Sequence, residues 1–279
     1  MEVGNKTQMP SIRLTPRPKY LSLTLTAIQR AITYRGTTLL NLFSNFIWAI
    51  LVYSLWKAVF SSKGSIKGFS WDEMRTYIIL AFAINALFSF QSLMRIMNTI
   101  RTGEVASELL RPNDYLGSQL AQATGAACIE GALSGGIAIL LSFWFLGIVP
   151  PTTPLSFGLF LLSICFGFLT KFLLGYLVAM LCFSTLNAVG LIWTQTAIIN
   201  LFSGSLIPLS FFPNWLMQIV LITPFQSIVY APIAIYLGKI SGAGIWQTLS
   251  LQAAWVILLW LLAKVLWRVS IRQLDIQGG

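Results

Sequence analysis

Long apolar runs, separated by short polar or Gly/Pro-rich breaks, organise this chain. They predict helical spans over about 37–60, 71–97, 115–147, 155–183, 188–205 and 245–266, each near or above the roughly 20 residues a helix needs to cross the hydrocarbon core of a bilayer. Ahead of the first span, Leu21, Leu25, Ile28 and Ile32 recur at spacings of 4, 3 and 4 with Arg30 opposite. That periodicity predicts an amphipathic helix over 19–35 lying on the membrane surface; the alternative is a plain extension of the first span. Residues 1–18 and 269–279 read as polar tails, leaving one membrane domain over 19–268.

The breaks carry their own signals. Ser61 to Ser70 is a polar, Gly/Ser-containing loop, and Ser70 ahead of Trp71, Asp72 and Glu73 reads as an N-cap with acidic residues in the first turn, which suits the helix dipole. Between the second and third spans, Arg101, Glu104, Glu108 and Arg111 fall within one helical sector, with Val105, Leu109 and Leu110 away from its centre. This predicts a short helix outside the membrane, ended by Pro112. In the third span, Gly125, Gly131, Gly135 and Gly136 permit close helix approach or a bend. After the fifth, Pro208, Pro213, Pro224 and Pro232 leave intervals too short for an uninterrupted span. Residues 208–233 are therefore expected to dip into the membrane from one side and return, with their broken backbone sheltered by protein. Pro208, Phe212, Pro213 and Trp215 are the candidate gate residues of that segment.

Composition agrees with a membrane chain: 56% of residues are hydrophobic and 9% charged, and mean hydropathy is +0.77, against about 25% charged residues in an ordinary soluble domain. The formal charge of +10 is dispersed among apolar runs, with no compact basic stripe of the kind nucleic acid requires. Cys128, Cys165 and Cys182 lie in apolar segments without metal-ligand spacing, and the sequence has no His; both facts weigh against a metalloenzyme or a serine hydrolase. The first twenty residues lack the apolar stretch of a signal peptide.

Cation placement suggests an orientation. With both termini in the cytosol, twelve of the eighteen Lys and Arg residues fall on the cytosolic side: Lys6, Arg13, Arg17, Lys19, Arg30, Arg35, Arg95, Arg101, Arg111, Lys264, Arg268 and Arg272. Lys57, Lys63, Lys67, Arg75 and Lys239 fall outside, and Lys171 falls within the membrane. The positive-inside rule then favours cytosolic termini and an even number of spans, six here.

Two ionisable residues sit at membrane depth, Glu130 in the third span and Lys171 in the fourth. Such charges cost at least about 2.5 kcal/mol on insertion scales and usually face a cavity or a partner. Lys171 has a stem long enough to snorkel to headgroups; Glu130 does not. Gln195 and Asn200 on the fifth span are either a helix-packing pair or part of the same path. The sequence holds no G-x-x-x-x-G-K-[ST] loop to cradle ATP phosphates, so energy for transport must come from a partner or a gradient.

Taken in order, a surface helix, a charged helix between spans two and three, and a Pro-broken segment before the last span resemble the ABC type-2 transporter permease family. The detail is similar too: Ile100-Arg101-Thr102-Gly103-Glu104 through Leu109-Leu110-Arg111-Pro112 looks like the family's coupling-helix region in its branch of paired permeases. Ser203-Gly204 through Pro208, Phe212-Pro213-Asn214-Trp215-Leu216 and Thr223-Pro224-Phe225 look like its external re-entrant element. The resemblance spans nearly the whole chain. It implies an all-α exporter-type permease of the bacterial inner membrane, working with a cytosolic ATPase dimer and a second permease subunit, more often an unlike one. ATP and Mg would then sit on the ATPase subunits and no cofactor on this chain. Arg101, Glu104, Glu108 and Arg111 would couple to the ATPases, Glu130, Lys171, Gln195 and Asn200 would border the path, and the cargo would be hydrophobic or amphiphilic.

Two other classes compete. A secondary transporter should show midplane charges and two related halves; Glu130 and Lys171 meet the first condition, while no internal repeat is visible. A membrane assembly or structural protein would need no ATPase at all. An enzyme would need a clustered acid, base or nucleophile set, which the sequence does not show.

Overall fold

A computed structural model describes residues 19–33, 35–62, 64–87, 90–105, 114–141, 147–183 and 188–271. Its elements are α1 (Lys19–Thr33), α2 (Arg35–Phe60), a hairpin of β1 (Ser65–Ile66) and β2 (Phe69–Ser70), α3 (Trp71–Ala86), α4 (Phe90–Arg101), α5 (Tyr115–Leu141), α6 (Pro154–Met180), α7 (Ala188–Phe202), α8 (Asn214–Ile222), α9 (Tyr230–Tyr236) and α10 (Ala243–Ile271). The all-α reading holds. Four helical stretches are long and apolar enough to cross a membrane, Phe43–Phe60, Tyr115–Leu140, Pro154–Phe183 and Ala243–Ile271.

The 71–97 run departs from expectation, because it is two helices, α3 and α4, instead of one. No proline or glycine lies at the break, so the cause is tertiary, and it belongs to the site described below. The third span ends at Leu141, and residues 142–146 lie outside the described segments.

Local chemistry explains the helix starts. Ser70 Oγ accepts from the Glu73 amide at 3.3 Å while Glu73 Oε2 accepts from the Ser70 amide at 2.8 Å, a reciprocal capping box. Thr153 caps α6 in the same sense, with Pro154 in its first turn. The polar loop ahead of α3 closes as a two-residue hairpin in which Ser65 pairs with Ser70 and Ile66 with Phe69. Its turn residues Lys67 and Gly68 have φ of 52° and 79°, the left-handed pair that matches strand twist.

The two faces of α1 do different things. Tyr20, Thr24 and Ala27 lie against the start of α5. Thr24 Oγ1 donates to the Ala121 carbonyl at 3.1 Å, and a Cβ on Gly125 would collide with the Thr24 carbonyl and the Ala27 methyl. Of the apolar stripe, Leu21 and Ile32 are exposed while Leu25 and Ile28 are half-buried.

α6 is the central post, flanked by α9 and α10. Gly167 allows the chain at Ser227 and Ile228 to touch it, since a Cβ there would stand 2.5 Å from the Ser227 carbonyl oxygen. Residues 208–233 form a broken run of short helices: a 3-10 turn at Leu209–Phe211, α8, a second 3-10 turn at Pro224–Ser227, then α9. At 9 residues, α8 is only about 13 Å long against a core of about 30 Å. Backbone carbonyls within the segment and just ahead of it accept from side chains of neighbouring helices. Tyr77 donates to the Gly204 carbonyl (2.6 Å), Trp56 Nε1 to Leu206 (3.3 Å), Trp255 Nε1 to Ile222 (2.8 Å) and Gln252 Nε2 to Ser227 (3.2 Å).

Cations sort to the two ends. Lys57, Lys67, Arg75 and Lys239 gather at the hairpin end, where Lys239 Nζ bonds Glu73 Oε1 (2.6 Å) and the Gly68 carbonyl (2.7 Å). At the opposite end the last turn of α10 holds Arg268, and Trp267 stacks on Tyr115 at 4.2 Å.

Candidate functional site

Between α2 and α7 lies a cavity of about 540 Å³, within the 300–1,000 Å³ range of small-molecule sites. Six helices and one loop line it: α2 with Asn45 and Trp48, α3 with Phe82 and Asn85, α4 with Leu93, α5 with Glu130, α6 with Lys171, α7 with Trp193, Gln195 and Asn200, and Ser205 beyond α7. The fold thus brings together Glu130, Lys171, Gln195 and Asn200, four residues on three helices that were singled out separately in the sequence.

The break after α3 makes this wall. The Leu87 amide donates to Ile84 at 3.1 Å, closing α3 with a tight turn, and the last carbonyls of any helix lack intrahelical partners. Here side chains from other helices supply donors. Lys171 Nζ points to the Asn85 carbonyl at 3.4 Å, and Ser134 Oγ reaches Ala83 at 3.4 Å. A cation at a helix C-terminus also meets the negative end of the dipole. Lys171 is therefore directed into the bundle at the end of α3 instead of snorkelling. The Asn85 side chain donates to Ser205 Oγ at 2.7 Å, so a single residue ties α3 both to α6 and to the loop leading into residues 208–233.

Glu130 is 8% exposed and lies in the middle of α5. Lys171 of α6 and Arg95 of α4 both lie within electrostatic reach of it. Arg95 lines a separate hollow along α4, with Asn98, Thr99 and Glu104, and also feels Arg30 of α1.

The coupling residues are described only in part. Arg101 ends α4 and Glu104 follows in the next turn, both exposed, with Gly103 at φ 74° making that turn and Val105 fully buried beneath it. Glu108 and Arg111 lie outside the described residues. The four gate residues do not form one surface: Pro208 and Phe212 are buried at the hairpin end, while Pro213 and Trp215 are exposed at the start of α8.

Asn85, Ser205 and the two tryptophans Trp48 and Trp193 were not singled out by sequence reasoning. Asn85 had a usable signal, an amide inside an otherwise apolar run; Trp48 and Trp193 had none, because aromatics are common throughout the spans.

Residues 46–278 match a family model described as ABC-2 family transporter protein. No curated protein matches the chain.

Proposed function

The chain belongs to the ABC-2 transporter family, as an integral membrane permease of an ABC transporter acting with an ABC ATPase, and we propose that it is the permease subunit of an exporter for hydrophobic or amphiphilic cargo. The cavity between α2 and α7 carries this reading. It gathers a carboxylate, an ammonium and several amides at membrane depth, where polar groups are costly and are retained at substrate paths. Alternating access would open it to each side in turn, with ATP-driven closure of two partner ATPases supplying the differential stability of the two states.

Orientation follows the same physics. The hairpin end carries Lys57, Lys67, Arg75 and Lys239, fewer cations than the twelve that the sequence places on the side of the termini, and this balance supports placing the hairpin end outside and both termini in the cytosol of a bacterial inner membrane. Six crossings then require α3 with α4, and also α7, to traverse in addition to the four long stretches. The re-entrant segment forms the outer gate, and the Arg101–Glu104 turn, with Glu108 and Arg111 beyond it, docks on the ATPases. A second permease subunit, an unlike one by family resemblance, completes the assembly, and ATP and Mg stay on the ATPases.

The test uses the chain co-expressed with a co-encoded ATPase in inside-out vesicles. Glu104→Lys should leave complex assembly intact and lower ATP-driven accumulation of an amphiphilic dye at least about tenfold, because a charge reversal at an exposed docking turn acts on the partner. Accumulation driven by an ion gradient without ATPase would favour a secondary transporter instead.

A further inference from the structure

We propose that the ion pair between Lys239 and Glu73 is a latch, holding a layer of aromatic side chains shut over the hairpin end of the cavity, and that this layer opens when the pair parts. The inference rests on the permease reading and on the orientation that places the hairpin end outside. Both partners sit on capped helix ends. In the Glu73 carboxylate, Oε2 accepts from the Ser70 amide in the capping box of α3, and Oε1 accepts from Lys239 Nζ at 2.6 Å. Lys239 follows the end of α9, where Gly238 at φ 71° turns the chain. The amides of Gly238 and Lys239 donate back to the carbonyls of Ile235 (3.2 Å) and Ala234 (2.8 Å), the pattern of a Schellman cap, and α9 itself is buried throughout. With both backbones held, forming the pair orders little beyond the two side chains, which removes part of the cost that weakens an ordinary surface pair.

The same ammonium holds the hairpin down. It donates to the Gly68 carbonyl at 2.7 Å and lies 4.9 Å from the centre of the Phe69 ring, within cation–π reach. Phe69 is buried, and its ring meets Tyr77 of α3 at 6.2 Å and Phe211 at 5.8 Å, while Phe211 meets Trp56 of α2 at 4.9 Å. These four rings make one layer across α2, the hairpin, α3 and the 3-10 turn ahead of α8. The cavity begins next to them. Val52, one turn before Trp56, lines it, as do Ile78 beside Tyr77 and Ser205 beside the Gly204 carbonyl that accepts from the Tyr77 hydroxyl. The layer therefore closes the cavity towards the hairpin end. Of its four rings, Phe69 is the one carried on a two-stranded hairpin, a unit with little stability of its own. Phe69 is thus the ring that lifts, and Lys239, through Gly68 and Glu73, is what keeps it seated.

Labelling of the full chain in right-side-out vesicles tests the latch. Cys128, Cys165 and Cys182 are first replaced by Ala, and Thr196→Cys places one thiol on the cavity wall. An impermeant maleimide added outside should label it about fivefold faster once Lys239→Met is also present, because loss of the pair shifts the population towards the open layer. Glu73→Gln should have the same effect. Gln still serves a capping box, so a faster rate in that variant reports the lost ion pair and not a frayed α3. The two changes together should add nothing to either alone, as expected of partners in one interaction. If Lys239→Met fails to insert, Glu73→Gln alone decides. An unchanged rate in the single variants overturns the inference, and so do effects that simply multiply in the double variant. Ser65→Cys, on the exposed strand of the hairpin, is the reference. If it reacts from outside while Thr196→Cys stays slow in every variant, the latch alone is lost. If it reacts only from the cytosolic side, the orientation falls and the latch with it.

Discussion

α9 and α2 are opposites. All seven residues of α9 are buried, and the stretch from Ile228 to Leu237 is buried throughout. α2 has 26 residues; among its described side chains Trp56 and Phe60 are the buried large apolar ones, while Leu39, Leu40, Phe43, Trp48, Leu51 and Leu55 stand open. The shorter element is finished within the chain. The longer one leaves most of its described apolar side chains open, and it is beside that open face that the cavity lies. Interior packing without solvent or lipid demands donors for every broken backbone group, which explains why Gln252, Trp255 and Tyr77 cluster around residues 208–233. A face open to lipid demands nothing of that kind.

The contrast breaks most severely at Gly167. Replacing it with Val forces a side chain against the Ser227 carbonyl and Ile228, and should cost about 3 kcal/mol, the upper end for overpacking. Gly158, with open space around it, should accept the same change with little loss. Thermal unfolding of the detergent-purified variants compares the two.

Gln252→Leu comes next. It removes the donor to the Ser227 carbonyl (3.2 Å) and the pairing with Ser163 (2.9 Å), leaving buried polar atoms unmet for a loss of about 2 kcal/mol. On the other side of the comparison, Leu40→Ala on α2 should change the stability of the isolated chain by less than about 0.5 kcal/mol. Its effect should appear instead in recovery of the assembled transporter by size-exclusion chromatography. A large loss in the isolated chain would mean that α2 packs within it after all.

Much of this was legible in the sequence. Apolar runs located α2 and α6 to within three residues and α5 and α10 to within six, because a long apolar helix advertises itself by composition, and four prolines marked the broken stretch after α7. Glycine was read with mixed success: Gly125 does receive α1 and Gly131 meets Leu87, while Gly135 and Gly136 face open space. The break between α3 and α4 was not legible. Leu87, Phe88 and Ser89 carry no helix-breaking residue, and the donors that hold the end of α3, Lys171 and Ser134, lie far away in sequence. For the same reason the sequence named Glu130, Lys171, Gln195 and Asn200 individually but gave no sign of their meeting, nor of Asn85 as the link between them. Of the stripe on α1, Leu21 and Ile32 are exposed and Leu25 and Ile28 half-buried, and its other face, Tyr20, Thr24 and Ala27, looks unremarkable until Gly117 and Gly125 are seen beneath it.

The central claim is that cargo passes through the cavity between α2 and α7, and blocking that space tests it most directly. Cys128, Cys165 and Cys182 are free and would first be replaced by Ala, so that a single cysteine at Thr196, on the cavity wall, is the sole target. Coupling a bulky maleimide there, in vesicles holding the chain with its ATPase, should abolish ATP-driven transport of an amphiphilic dye while the complex stays assembled. Undiminished transport with the label stoichiometrically in place would contradict the account.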